Sequence, residues 1–165
     1  MSEHNPFSPP RANVDAPLAP AQGAATARPA LWNPGAAAAW SLLFSPIFGA
    51  LIHMKNWQAL GDSAKAAEAR TWAQGCGAFM ALAMLSAALL PESRLIDVAV
   101  QGAGLGLLVA WYTMSAKAQV ALVKARFATD YPRRGWGMPI LYAIGLFVAA
   151  IVALTVVLVI VSPEA

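Results

Sequence analysis

The sequence has little cysteine and little charge, and both shortages limit what the chain can be. It contains one cysteine, Cys76, in 165 residues, which excludes a disulfide within the chain and a metal cluster built from several thiolates. Charged residues make up 12% of the chain, whereas soluble domains carry about 25%. Because hydrophobic residues make up 59%, the composition favours a protein that lies in a membrane.

Signatures of chemistry and of secretion are also missing. The sequence shows no nucleophile–base pair, carboxylate dyad, metal-binding cluster or phosphate-binding loop, and its two histidines, His4 and His53, are far apart. The first thirty residues lack the apolar core of a cleavable signal peptide. We therefore expect a protein that is not an enzyme and needs no cofactor or metal. We attribute the net charge of +3 to Lys and Arg residues in loops, which orient the chain in a membrane. We do not attribute it to nucleic-acid binding.

What the sequence does contain is long uncharged blocks. The last one, 138–161, has 24 residues and would extend about 36 Å as a helix, enough to cross a bilayer core of about 30 Å. Four such blocks predict apolar helices at about 36–54, 71–91, 98–116 and 138–161. The predicted fold class is all-α integral membrane, with residues 35–165 as a transmembrane helical domain. A Pro/Ala-rich tail, residues 1–34, is expected to be disordered.

The first block allows two arrangements, because Ser45-Pro46 lies near its middle and proline kinks or breaks a helix. Residues 36–54 either form a kinked span of a four-helix transmembrane bundle, or re-enter as two half-helices beside three spans. In both arrangements the positive-inside rule places the two polar loops, 55–72 and 117–137, in the cytoplasm. The arrangements differ in which side of the membrane holds the N-terminus.

Three sets of residues are candidate functional positions. Stripes of small residues at four-residue spacing favour close helix packing, either within this chain, against a second copy or against a partner: Gly102, Gly106, Ala110 and Gly145, Ala149, Ala153. Two polar residues, Asp97 and Gln101, lie one turn apart near the start of the third span. Five cations accompany the apolar positions Val120, Val123 and Phe127, which predicts an interfacial amphipathic helix against anionic headgroups or an acidic partner: Lys117, Lys124, Arg126, Arg133 and Arg134.

Two short motifs resemble uncharacterised families of small bacterial inner-membrane proteins. The residues from Asn5 to Asp15, NPFSPPRANVD, resemble an N-terminal leader of the form Asn-Pro-Phe/Tyr-x-x-Pro-x-Ala-x-Val-x-Asp. The run WSLLF at 40–44, followed by NWQALG at 56–61, resembles a membrane-domain pattern with an Asn-Trp-x-Ala-Leu-Gly element. These resemblances imply a multi-pass protein of the bacterial inner membrane, and they imply no activity.

The function expected from these features is binding. We expect a small non-enzymatic inner-membrane protein that contacts the lipid bilayer and another membrane protein, as an accessory subunit or a toxin-immunity protein, or that forms a homo-oligomer. The alternative hypothesis is a small oligomeric channel or transporter, which Asp97, Gln101 and the interrupted first block would favour.

Overall fold

The computed structural model of the chain describes residues 28–161, except for the side chains at positions 158 and 161. This part is all-helical, as the sequence predicts. Its elements are α1 (Pro34–Phe44), α2 (Pro46–Ala59), α3 (Ser63–Leu89), α4 (Arg94–Trp111), a π-helical segment (Tyr112–Ala116), α5 (Lys117–Phe127) and α6 (Gly137–Val161).

Three stretches of helix are long and apolar enough to cross a membrane. They are Ser63–Leu89, Arg94–Phe127 and Gly137–Val157, with 27, 34 and 21 residues. The second joins α4 to α5 through the π segment without a break. In the most apolar 18-residue stretch of each helix, only 11%, 6% and 0% of the stretch is buried within the chain. The helices therefore present their apolar side chains outward, as a lipid environment requires.

The first apolar block is two helices, because the chain breaks at Ser45. Pro46 has no N–H to donate, and Ser45 adopts a φ of 109°. The resulting helices have 11 and 14 residues, each shorter than the roughly 20 residues that a span needs. They run antiparallel, since Ser41 lies against Gly49 and the Pro34 carbonyl contacts His53 near the end of α2. We call this unit the α1–α2 hairpin.

The helix ends near the hairpin follow from local chemistry. Asn33 caps α1, where its Oδ1 accepts from the N–H groups of Gly35 and Ala36 at 3.0 and 3.2 Å, and Pro34 is the first helical residue. After α2 the chain turns at Gly61, whose φ is +79°. Asp62 then caps α3 by accepting from the Lys65 N–H at 2.8 Å. Asn33 before Pro34, and Gly61 before Asp62, are patterns typical of a helix boundary, and α1 and α3 begin where these patterns predict.

Residues 28–33, assigned by sequence to the tail, pack against the loop that follows α5. The Leu31 N–H donates to the Pro132 carbonyl at 3.0 Å, and the Arg134 N–H donates to the Leu31 carbonyl at 2.9 Å. Leu31 itself is fully buried. We call residues 28–33 the N-terminal strap. The rest of the predicted tail, residues 1–27, lies outside the described residues.

The strap changes the interpretation of α5. Val123, which the sequence predicts to face lipid from an interfacial helix, is 2% exposed and packs in one cluster with Leu31 and Tyr131. Phe127 and Leu122 pack against the same cluster. The apolar face of α5 therefore packs inside the protein, because the strap offers it an apolar partner that a helical-wheel argument does not include.

The hairpin depends on a glycine at its closest approach. A Cβ on Gly49 would overlap Ser41 Oγ and the indole of Trp111, and overpacking of this kind costs about 1–3 kcal/mol. We expect Gly49→Ala to lower the unfolding temperature measured in detergent. Gly77→Ala is the matched control, because a Cβ there meets nothing within 4 Å. Equal stability of the two variants would contradict the packing described here.

Candidate functional site

The candidate site is a set of buried polar side chains that joins the strap, the hairpin and α5. At its centre is Asn56, which is 1% exposed. Its Oδ1 accepts from the Trp32 N–H at 3.0 Å, and its Nδ2 donates to the Trp32 carbonyl at 2.8 Å. One amide side chain thus satisfies both backbone groups of Trp32, as a neighbouring strand would.

Gln119 connects this pair to α5. Its Oε1 accepts from Asn56 Nδ2 at 3.2 Å, and its Nε2 donates to the His53 carbonyl at 2.9 Å. Gln119 is fully buried, and it lies 66 residues from His53 in the chain. We refer to His53, Asn56 and Gln119 as the polar bracket. Because both ends of each amide are hydrogen-bonded, the bracket fixes the position of α5 relative to α2.

The His53 ring closes the base of the hairpin. Its Nε2 donates to the Pro34 carbonyl at 3.2 Å, and its edge meets Trp111 with ring centroids 5.5 Å apart. Burial lowers the pKa of His53 to about 4, although the hydrogen bond to Pro34 acts in the opposite direction. The ring is therefore neutral near pH 7. Among the described residues, neither His53 Nδ1 nor Trp111 Nε1 has a hydrogen-bond partner.

On its outer side the strap supports the basic loop between α5 and α6. Trp32 Nε1 donates to the Gly135 carbonyl at 2.9 Å, and the guanidinium of Arg134 lies 4.6 Å from the centre of the Trp32 ring. Each of the five cations predicted from sequence is exposed: Lys117, Lys124, Arg126, Arg133 and Arg134. The structure thus places the basic residues on the surface and the polar bracket directly beneath the strap.

The stripes of small residues are open. A Cβ on Gly102, Gly106 or Gly145 would meet no atom within 4 Å, and Ala149 and Ala153 are exposed while Ala110 is half-buried. Gly106 and Ala110 line an apolar groove of about 720 Å³ between α3 and α4, opposite Gly75, Cys76 and Phe79. In the described part of the chain, α3 therefore leaves the α4 stripe unfilled.

The polar positions in α4 are remote from the bracket. Asp97 and Gln101 are exposed and line a recess of about 660 Å³ at the turn between α3 and α4. Asp97 lies in the first turn of α4, and the 22 residues that separate it from Gln119 correspond to about 33 Å of helix. The structure therefore brings Asp97 and Gln101 together, as their spacing predicts, but does not bring them to the polar bracket.

Sequence reasoning missed the polar bracket. The sequence places His53 and Asn56 at the end of the first apolar block, near the cytoplasmic face, and it does not single out Gln119. One signal was present, because Gln119 lies four residues before Val123 and shares its face of α5. A polar residue on an apolar face indicates either a lipid-exposed amide or a buried hydrogen bond. Only the packing of α2 against α5 distinguishes these cases.

The hydrogen bonds of the polar bracket connect the strap, α2 and α5. Within residues 28–161, no three His, Cys, Asp or Glu side chains lie close enough to hold a metal ion. The bracket's hydrogen bonds run between amides, backbone groups and a neutral imidazole, which suits a fixed joint between segments. No family model, curated protein or solved structure matches the chain.

The neutral state of His53 makes the stability of the hairpin depend on pH. With the pKa near 4 in the folded protein and 6.5 as the ordinary value, the unfolded chain binds more protons at pH values between these two. The stabilisation is fully present above pH 6.5 and falls by up to about 3 kcal/mol as the pH drops towards 4. We expect the unfolding temperature in detergent to decrease over this range. His53→Gln should flatten the profile, and an unchanged slope in this variant would contradict the assignment.

Proposed function

We propose that this chain is a small multi-pass protein of the bacterial inner membrane that has no enzymatic activity and acts by binding another membrane protein. The observation that carries the proposal is the distribution of burial. The bracket encloses the polar side chains of His53, Asn56 and Gln119, whereas at most 11% of the most apolar stretch of each of the three long helices is buried. Such helices need lipid or other helices around them. The short motifs that resemble bacterial inner-membrane proteins support the location.

The contacts of the strap support a topology with three spans and a re-entrant hairpin. Trp32, just before α1, is hydrogen-bonded to Asn56 near the end of α2, so the chain enters and leaves the hairpin at one level. Leu31 also pairs with the loop before α6. Exposed leucines near the break between the two helices, Leu42 and Leu43 at 75% and 70%, suit a hairpin tip inserted into lipid. The strap and both polar loops then share the cytoplasmic side.

The groove between α3 and α4 is the proposed docking position for a partner helix. In lipid, helices associate through close packing because the solvent is as apolar as the side chains. The groove is lined by small residues from both helices, including Gly75, Gly106 and Ala110. A helix backbone approaches such a surface closely. The partner is thus a transmembrane helix of another protein, in either an accessory subunit or a toxin–immunity pair.

We expect filling the groove to abolish partner capture. In Gly75→Leu/Gly106→Leu, both new side chains enter open space, since a Cβ at either position meets nothing within 4 Å. Purification from detergent at native expression level, followed by mass spectrometry, should recover the partner with the original chain and lose it with this variant. Gly77→Leu, also open but not lining the groove, is the control that should retain it. Recovery of no partner protein with the original chain would overturn the proposal.

Cysteine labelling in intact cells tests the topology. In a Cys76→Ala background, Ser8→Cys should be protected from a membrane-impermeant maleimide, because a re-entrant hairpin leaves the N-terminus in the cytoplasm. Ser93→Cys, in the turn between α3 and α4, should be labelled, and Ser63→Cys should be protected. Labelling at position 8 would instead indicate four spans.

A further inference from the structure

We propose that Arg126, Arg133 and Arg134 form a binding site for the phosphate of an anionic phospholipid, and that the N-terminal strap builds this site. Each guanidinium lies over an aromatic ring: Arg126 over Phe127 at 5.3 Å, Arg133 over Tyr131 at 5.8 Å, and Arg134 over Trp32 at 4.6 Å. The Phe127 and Tyr131 rings are themselves 6.2 Å apart. The rings therefore connect Arg126 and Arg133 into one surface.

The chemistry of these three arginines suits a phosphate. A guanidinium carries a planar fork of N–H donors that matches a phosphate, and a cation–π contact with a ring does not use those donors. Within residues 28–161, the ion pairs are Arg28–Asp130 and Lys65–Glu68, and neither uses one of the three arginines. No ion pair in this part of the chain therefore competes with a phosphate for these three side chains.

The strap also removes the opposing charge. Asp130 is the only acidic residue between Lys117 and Gly137 in the sequence, and a phosphate would be repelled by it. Arg28 of the strap forms an ion pair with the Asp130 carboxylate and also donates to the Asp130 carbonyl at 3.2 Å. The strap therefore contributes twice, through a ring under Arg134 and through a cation beside Asp130.

The position of the site indicates that its ligand is a lipid. Arg133 and Arg134 precede α6 by four and three residues, and α6 is apolar from Met138 onward. A residue just outside a spanning helix lies at the depth of the headgroups, where anionic lipids attract cations. The lipid phosphate is at that level whenever α6 is in a bilayer. The inference rests on the proposed membrane placement, and it is independent of the protein partner.

Native mass spectrometry of the full chain in detergent tests the site. Phosphatidylglycerol and phosphatidylcholine, added at equal concentration, should bind with a preference for phosphatidylglycerol. Since one cation near a membrane surface changes lipid affinity by about fivefold, Arg133→Gln/Arg134→Gln should weaken phosphatidylglycerol binding about 25-fold. Lys55→Gln/Arg70→Gln removes the same charge from two other exposed positions and should leave the affinity unchanged.

A pair of charge-neutralising variants isolates the role of the strap. Arg28→Gln should weaken phosphatidylglycerol binding because it leaves the Asp130 carboxylate unneutralised, and adding Asp130→Asn should restore it. An equal loss in the Lys55→Gln/Arg70→Gln control would overturn the site in favour of general attraction by net charge. Equal binding of the two lipids, failure of the Asp130→Asn rescue, or displacement of phosphatidylglycerol by a glutamate-rich peptide would also overturn it. Partner capture tests the proposed function separately.

Discussion

The hydrogen-bonded pairing of Asn56 with Trp32 is the constraint on which the rest of the structure depends. A backbone N–H and carbonyl removed from water must find partners, and leaving either unsatisfied costs about 1–3 kcal/mol. Asn56 supplies both partners at 3.0 and 2.8 Å. Because Trp32 precedes α1 and Asn56 lies near the end of α2, this pairing requires the two helices to return the chain to its starting level. The break at Ser45 makes the return possible, and the pairing fixes it.

The polar bracket explains how a chain with so little internal apolar burial holds a defined shape. Lipid does not drive helices together by the hydrophobic effect, and α6 illustrates the result, since no residue in its most apolar stretch is fully buried. The helices are held together instead at one end of the molecule, which we call the base. Here Gln119, Asn56 and His53 are buried together with Trp111. The long helices extend from that end with their apolar faces free. A rigid base and open helices are compatible with a protein whose binding surfaces lie in the bilayer.

Local structure could be predicted from sequence where one residue decides it. Pro46 predicts the break, Asn33 and Asp62 predict caps, and the uncharged blocks predict the long helices. The interaction between α5 and the strap could not be predicted, because the apolar pattern of Val123 and Phe127 fits a lipid surface as well as it fits Leu31. Gln119 was missed for the same reason, since its partners lie 63 and 66 residues away. The sequence shows that a face is apolar or polar, and tertiary contacts determine what covers it.

The π-helical segment at Tyr112–Ala116 divides the 34-residue helix into two parts, α4 and α5. A π turn behaves as one residue inserted into an α-helix, and such an insertion rotates everything beyond it by about 100°. The π segment therefore gives α4, which carries Gly106, a fixed rotational offset from α5, which carries Gln119. Deletion of one residue within the segment would rotate the α4 side of the groove, which carries Gly106 and Ala110, by about 100° relative to Gln119. The direction in which α4 presents Gly106 relative to the polar bracket thus depends on a single extra residue.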